Sequence, residues 1–165
     1  MPIEDALIPN PITINAEYTV EQALTLINKH QIRSVPIVEN SGKFIGMFGL
    51  HSLLDDLLPM AAKMEEGVKD LDFVVGGAPS AAKKIRKLAH KSVLEVIKKT
   101  EEHHYLKDDM SILESIRRLY KYGSPLPVVT KELKFLGLIS EQSCLNHLNE
   151  VLKEVEAEEK LNTNL

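Results

Sequence analysis

An internal duplication constrains the fold of this chain more than any other feature of its sequence. When Pro36 is aligned with Pro127, the 19-residue windows 36–54 and 127–145 coincide without a gap and share seven identical residues. Chance would give about one identity in such a window, because even common residues each account for only about 7% of protein sequences. A match of this kind indicates that one structural unit occurs twice.

Each copy predicts the same order of elements: strand, helix, strand, strand and helix. The first helix begins at a capping box, Thr19 to Gln22 or Ser111 to Glu114, and continues with apolar residues at i, i+3, i+4 and i+7. Two strands joined by a short polar turn then form a hairpin. The predicted strands are 11–14, 35–38 and 44–48 in the first copy and 104–106, 126–129 and 135–139 in the second, and the closing helices lie near 50–58 and 141–152.

This order of elements predicts a mixed α/β (α+β) fold of two β-α-β-β-α repeats. A three-stranded sheet with helices on one face leaves its other face apolar and uncovered, so the two copies can bury those faces against each other around a pseudo-twofold axis. The predicted divisions are a first repeat at 1–58, a helical insertion at 59–90, a second repeat at 91–152 and an acidic C-terminal helix or tail at 153–165.

Composition excludes several classes of protein. The formal net charge is -4, which gives the whole chain no electrostatic attraction for nucleic acid or anionic lipid. The single cysteine, Cys144, excludes an internal disulfide and is typical of a reducing cytosol. The first residues have neither the basic nor the long apolar region of a signal peptide, and the apolar runs are shorter than a membrane span. We therefore expect a cytoplasmic protein without direct membrane insertion.

The repeated pattern resembles the tandem CBS-domain pair, named after cystathionine β-synthase. The family motif combines a capped helix, an apolar-Pro-Val strand start and the sequence Gly-apolar-apolar-Thr/Ser-x-x-Asp. In the first copy these parts correspond to 19–24, 34–38 and 46–52, and in the second copy to 111–116, 125–129 and 137–143. The resemblance implies a non-enzymatic regulatory module, commonly a homodimer, that binds adenine nucleotides or S-adenosylmethionine in clefts between the repeats.

The resemblance also implies which residues line such a cleft. Adenine recognition needs backbone groups beside apolar walls, and a phosphate needs donors at a helix N-terminus. The candidate ligand-binding residues are Ile14, Arg33, Ser34, Val35, Pro36, Gly49 and Ser52 in the first copy and Leu106, Ser124, Leu126, Pro127, Ser140 and Ser143 in the second. Each group of candidate residues also has an alternative interpretation. The apolar residues could simply be core residues, Ser140 could be a plain helix N-cap, and Arg33 could be a solvated side chain.

Both copies depart from the motif where the family binds ribose. The Asp is replaced by Ser52 and Ser143, and the first copy has Gly49 in place of Thr/Ser. A hydrogen bond to a charged group contributes about 1.5–3 kcal/mol against about 0.5–1.5 kcal/mol for a neutral one, so ribose binding should weaken roughly tenfold per site. We expect the second cleft to be the better one. The ligand would be AMP, ADP, ATP or S-adenosylmethionine, bound with low affinity, unless it is not a ribonucleotide at all.

Residues 59–90 belong to neither copy. Their pattern predicts one helix over 60–71 and, after a break at 76–80, a basic helix over 81–90. The cations of this second helix and its end are Lys83, Lys84, Arg86, Lys87 and Lys91. The basic helix is interpreted as a docking surface for an acidic partner, as an anion site at Ser80, or as a solvated linker. The acidic helix predicted over 149–160 could be its partner, within the chain or across a dimer.

The remaining clusters predict no catalytic or metal site. Glu101 to His104 include metal-ligand types, but neighbours in an extended segment point to opposite sides. Cys144 and His147 lack a second ligand pair of zinc-site spacing. Phosphate-loop, nucleophile-elbow and HExxH motifs are absent from the sequence. We therefore expect a non-enzymatic ligand sensor that requires no cofactor and regulates an unidentified separate protein by population shift. The second hypothesis is a ligand-free interaction scaffold, and the third is an enzyme.

Overall fold

The computed structural model describes residues 2–57, 77–97 and 104–163. The helix predicted over 60–71 and residues Glu101 to His103 of the weak metal cluster lie outside this part. The chain forms two compact units. The N-terminal unit is Ile12–Thr100, and the C-terminal unit combines Met1–Pro11 with Glu101–Leu165.

The N-terminal unit is built around one antiparallel hairpin. The described residues of this unit form the helices α1 (Val20–His30), α2 (Leu50–Leu57), α3 (Gly77–Ala89) and α4 (Val93–Val96) and the strands β1 (Ser34–Val38) and β2 (Phe44–Gly49). The two strands pair antiparallel, with Pro36 opposite Met47. The predicted hairpin is therefore confirmed. The strand predicted over 11–14 is reduced to one parallel bridge from Ile14 to Ile37.

The C-terminal unit holds a three-stranded sheet. After a short 3₁₀ helix (Ile3–Ala6), its strands are β3 (Leu106–Lys107), β4 (Leu126–Val129) and β5 (Phe135–Ile139), and its helices are α5 (Ile112–Tyr122) and α6 (Glu141–Thr163). The strand order is β3-β4-β5, in which β3 runs parallel and β5 antiparallel to β4. The chain is thus a mixed α/β protein, as the sequence predicts.

The duplication extends to the register of the two hairpins. Pro36 lies opposite Met47 in one, and Pro127 lies opposite Leu138 in the other. Each hairpin also shifts its register once, directly after Ile37 in β1 and after Val128 in β4, which are equivalent positions. A slip of one residue moves every side chain to the opposite face of a strand. The two copies therefore present equivalent residues to their cores.

The two predicted capping boxes differ in detail. At α1 the box is complete: Thr19 Oγ1 accepts from the Gln22 amide, and Gln22 Oε1 accepts from the Thr19 amide. At α5, Ser111 Oγ accepts from the Glu114 amide, but the Glu114 carboxylate instead accepts from Arg117 and Arg118. The hydrogen bond from Arg117 lowers the pKa of Glu114 to about 2. The second box is therefore formed by the serine half alone.

Two elements differ from prediction at their ends. The helices predicted near 141–152 and over 149–160 are one continuous helix, α6. The basic helix α3 begins at Gly77 rather than after Ser80, so the prediction of Ser80 as its cap is wrong. The reason is that the first four amides of a helix need no intrahelical acceptor, so Pro79 is tolerated in the first turn and does not break the helix.

Each unit contains the segment that precedes the other repeat. In the C-terminal unit, Pro2 bridges to Ser111, and the Ile8 amide donates to the Leu138 carbonyl at 2.8 Å. In the N-terminal unit, Ser92 bridges to Thr19, and α4 follows it directly. The residues that begin the two short helices, Ile3 and Val93, are each fully buried in the core of their own unit. Both cores therefore depend on a segment distant in sequence.

Candidate functional site

The candidate ligand-binding residues fall into two groups, one in each unit. We call Ile14, Arg33, Ser34, Val35, Pro36, Gly49 and Ser52 the first half-site, and Leu106, Ser124, Leu126, Pro127, Ser140 and Ser143 the second half-site. In both, the start of one hairpin strand lies beside the end of the other, because the strands are antiparallel. A helix begins at that end, α2 in the first half-site and α6 in the second. Each half-site thus brings sheet edges and a helix N-terminus together.

In the second half-site, Ser140 and Ser143 cap α6 reciprocally. The Ser143 amide donates to Ser140 Oγ at 3.1 Å, and the Ser140 amide donates to Ser143 Oγ at 2.9 Å. Ser143 Oγ in turn donates its proton to the Ser140 carbonyl at 3.1 Å. A serine hydroxyl has one proton to donate, and in the described part of the chain no bond uses that of Ser140. Ser140 is therefore the hydroxyl that still has a proton for a ligand.

The helix N-terminus at the second half-site is not purely attractive to anions. The free amides and the dipole of α6 favour negative charge there. However, Glu141 is the first residue of the helix and is exposed. Its carboxylate already interacts favourably with the dipole and repels a second anion. This arrangement disfavours a highly charged ligand more than a weakly charged one.

The strand residues of the second half-site are core residues. Leu106 and Leu126 are buried in the hydrophobic cluster of the C-terminal unit, and Pro127 is buried opposite Leu138. Ser124, two residues before β4, is only half-buried. The apolar side chains therefore act first as packing. Ser124, Ser140 and Ser143 are the polar side chains here that keep part of their surface in solvent.

The first half-site is more constrained. Ser34 pairs with Gly49, and a Cβ added to Gly49 would lie 3.3 Å from the Ser34 Cβ. The Leu50 amide, the first of α2, already donates to the Arg33 carbonyl at 3.1 Å. The motif's hydroxyl is therefore missing at Gly49 and could return only if its neighbour moved.

Both backbone polar groups of Ile14 already form hydrogen bonds. Its amide donates to the Pro36 carbonyl at 3.0 Å, and its carbonyl accepts from the Val38 amide at 2.8 Å. Ile14, Val35 and Pro36 are buried, whereas Arg33 is exposed and Ser52 is half-buried in the first turn of α2. Backbone recognition of adenine at Ile14 would thus compete with the sheet.

An apolar groove between α5 and α6 was not predicted from the sequence. It has a volume of about 290 Å³ and its lining residues are Ile116, Leu119, Tyr120, Glu141, Cys144, Leu145 and Leu148. Its walls carry one charged group, Glu141, and so offer no cation for a phosphate. The signal in the sequence was the 3-4-3 spacing of Leu145, Leu148, Leu152 and Val155 along one helix.

Within the described residues, the remaining chemistry-bearing side chains form no further site. Burial raises the pKa of the Cys144 thiol, which favours its unreactive protonated form. The Nε2 atom of His147 is buried without a hydrogen-bond partner. Across 2–57, 77–97 and 104–163, no three His, Cys, Asp or Glu side chains are grouped so as to hold a metal ion. Within the same residues, no helix has the length and apolar character needed to cross a bilayer.

Comparison with known proteins gives a consistent result. The family model of the CBS domain matches residues 3–59 and 93–150. No curated protein matches the chain. The CBS-pair protein CBSX2 from Arabidopsis thaliana is 17% identical and superposes with a TM-score of 0.68 over 92% of this chain and 96% of that chain.

Two further solved structures share this fold. A structure of CBSX2 in complex with AMP is 19% identical, with a TM-score of 0.63 over 91% of this chain and 97% of that one. A CBS domain pair/ACT domain protein from Thermotoga maritima is 19% identical, with a TM-score of 0.60 over 92% of this chain and 99% of that one. At such identities the likeness concerns the fold.

Proposed function

The chain belongs to the CBS-domain family and carries two tandem copies of that domain, and on this premise we propose that it is a non-enzymatic regulatory module for an adenosyl ligand. The ligand is an adenine nucleotide or S-adenosylmethionine. The AMP complex of CBSX2, a protein of the same fold, supports this ligand class. The expected setting is the cytoplasm.

One observation carries the proposal: Ser140 stands at the N-terminus of α6 with a hydroxyl proton that the described residues do not use. Ser140 directly follows Ile139, which pairs with Leu126 at the start of β4. A phosphate or ribose oxygen at this position would accept from Ser140 beside the free amides of α6. The second half-site is therefore the main binding element.

The charge at this half-site orders the candidate ligands. Because Glu141 lies in the first turn of α6, each additional negative charge on the ligand adds repulsion. AMP and S-adenosylmethionine should therefore bind more tightly than ADP, and ADP more tightly than ATP. The missing Asp lowers all these affinities, since Ser143 has donated its proton within the cap.

The output is regulation of a separate protein by a homodimeric module. A ligand shifts a conformational equilibrium only by its differential affinity for the two states. A ligand that orders the N-terminus of α6 would favour one arrangement of that helix. The protein regulated would sense this change through the helix.

A second candidate function is a ligand-free interaction scaffold. It is favoured by the Ser140–Ser143 cap, which occupies the hydroxyl that replaces the family's ribose-binding Asp. It is also favoured by Gly49, which lacks the motif's hydroxyl in the first half-site. On this view both half-sites have lost their ligand.

Thermal unfolding with AMP, ADP, ATP and S-adenosylmethionine distinguishes the two functions. A ligand at 100 times its Kd adds about 2.7 kcal/mol to the free energy of unfolding. We expect a shift with AMP that is absent in Ser140→Ala, which itself loses about 1 kcal/mol from the missing cap. Ser41→Ala, an exposed serine in the β1–β2 turn, is the matched control and should keep the shift. Unchanged melting with all four ligands would favour the scaffold.

A further inference from the structure

Helix α3 carries positive charge that its own sequence does not balance. We define the basic face as Lys83, Lys84, Arg86 and Lys87 of α3 together with Lys91, which follows the end of the helix; all five are exposed. Across residues 77–97 these five cations are opposed by one acidic residue, the glutamate at 95. This stretch therefore has a net charge of +4 in a chain whose formal net charge is -4.

The helices of the C-terminal unit treat their cations differently. In α5, Arg117 and Arg118 pair with Glu114 at 2.7 and 3.3 Å, and in α6, Lys153 pairs with Glu150 at 2.7 Å. Among the described residues, no ion pair includes a cation of the basic face. Like charges three or four residues apart destabilise a helix, and the lysines of α3 have this spacing. The basic face therefore keeps a positive charge that an anionic partner would relieve.

Packing on another side of α3 fixes the direction of the basic face. Leu88 packs against the hydrophobic cluster of the N-terminal unit. Just beyond the helix, the Lys91 carbonyl accepts from the Val20 amide at the start of α1, at 2.9 Å. Lys83 and Lys87 are one turn apart, and Ile85, two residues from each, lies on the opposite side of the helix. The basic face is thus held in place and contains no large apolar side chain.

The composition of this face disfavours two of its three possible partners. A protein partner would find no apolar centre of the kind that forms the core of an interface, and exposed ion pairs alone contribute little. Nucleic-acid interfaces add polar side chains that contact bases and sugars, or aromatic rings that stack, but α3 contains no Asn, Gln, Thr or aromatic residue. An anionic bilayer needs neither feature, because it attracts each nearby Lys or Arg through charge alone.

We propose that the basic face binds the surface of an anionic phospholipid bilayer. Clusters of about four to eight Lys or Arg residues on a helix are typical of binding to phosphatidylserine and related headgroups. Four of the five cations here are lysines, whose flexible stems can bring their ammonium groups to one plane from a curved helix. Because Ile85 is on the opposite side and Leu88 is packed, binding is peripheral and electrostatic.

Cosedimentation of the full chain with vesicles, without nucleotide, tests this inference. We expect binding to vesicles of equal parts phosphatidylserine and phosphatidylcholine, and none to pure phosphatidylcholine. The partition coefficient should fall at least about tenfold in 1 M NaCl, because the Debye length decreases from about 8 Å at 0.15 M ionic strength to about 3 Å.

Removing three charges tests whether the basic face makes the contact. Each Lys or Arg near an anionic membrane contributes about fivefold to the partition coefficient, so Lys83→Gln/Lys84→Gln/Lys87→Gln should lower it about a hundredfold. Glutamine is a good helix former, so the helix should persist, as circular dichroism can verify.

A matched control separates location from net charge. Lys43→Gln/Lys131→Gln/Lys134→Gln removes the same charge at exposed lysines outside the basic face. This variant should keep most of the wild-type binding. Equal losses in the two triple variants would contradict a role for α3 itself.

Three further results would overturn the inference. The first is a wild-type chain that does not sediment with the anionic vesicles but binds duplex DNA or an oligoglutamate peptide through the same lysines. The second is equal binding to both kinds of vesicle. The third is vesicle binding that appears only in Glu154→Gln/Glu156→Gln/Glu158→Gln, which would mean that the chain's own acidic residues occupy the basic face.

The lipid inference and the ligand proposal can fail separately. The basic face shares no residue with either half-site, and the vesicle measurements omit nucleotide. Their failure would therefore leave the ligand proposal intact, and unchanged melting with all four ligands would leave lipid binding intact.

Discussion

Ser140 and Ser143 hold each other at the start of α6, and this limits what either can offer a ligand. The motif located both serines from sequence, because it fixes their distance from Gly137. It could not distinguish their hydroxyls, since the direction of each proton depends on two side-chain rotations in the folded chain. In the structure the hydroxyl proton of Ser143 is donated within the cap, whereas the hydroxyl proton of Ser140 is not donated to any described residue.

Restoring the family's carboxylate should strengthen ligand binding. In Ser143→Asp the carboxylate can still accept from the Ser140 amide, and its negative charge is favourable near the N-terminus of α6. A charged hydrogen bond to ribose replaces a neutral one, so we expect about tenfold tighter AMP binding by isothermal titration calorimetry.

The equivalent change in the first half-site is the matched control. Ser52→Asp should improve AMP binding less, because Gly49 offers no hydroxyl and the Leu50 amide already donates to the Arg33 carbonyl. Equal affinities for wild type and Ser143→Asp would contradict ribose binding at the second half-site.

At the scale of elements, local pattern predicted the helices and hairpins but not all of their ends. Apolar spacing identified the buried faces of α1 and α5, and apolar runs joined by a short polar turn predicted the hairpins, because these signals are local and strong. The start of α3 was misplaced since a proline in the first turn resembles a break. The single helix α6 was predicted as two overlapping helices, near 141–152 and over 149–160, because its first part is amphipathic and its exposed end is acidic.

One contact between elements offers a sensitive test. A Cβ added to Gly137 in β5 would lie 3.1 Å from the Leu7 side chain. We therefore expect Gly137→Ala to destabilise the protein by about 1–3 kcal/mol through overpacking. In a Leu7→Ala background the added methyl has room, so the same substitution should cost less.

Urea unfolding of wild type, both single variants and the double variant measures this coupling. Neighbouring residues typically show coupling energies of about 0.5–3 kcal/mol. Strictly additive effects would mean that Leu7 does not pack against Gly137.

At the scale of the whole molecule, each core includes a segment that precedes the other repeat in sequence. The repeat pattern could not predict this, because the short helices at Ile3–Ala6 and Val93–Val96 lie outside the aligned windows. Their contacts also join distant residues, as between Pro2 and Ser111. Such non-local pairing leaves no periodic signal in a single sequence.

Hydrogen exchange can show which unit each segment stabilises. Ile3→Ala should cost about 2–5 kcal/mol and raise exchange in peptides from 104–163, since Ile3 is buried in that core. Val93→Ala removes fewer atoms and should raise exchange in peptides from 12–57. Each variant is the control for the other, and the opposite pattern of exchange would refute the assignment of these segments.

The placement of the first residues also sets an order for events on the ribosome. Domains generally fold as units, N-terminal first, while the chain is being synthesised. Here Ile12–Thr100 can close once α4 has emerged, whereas Ile3 and Ala6 belong to a core whose strands are made later. These two apolar residues therefore remain in water during much of translation. A nascent chain paused near residue 100 should thus hold one finished unit and, before residue 12, a segment that has not yet packed.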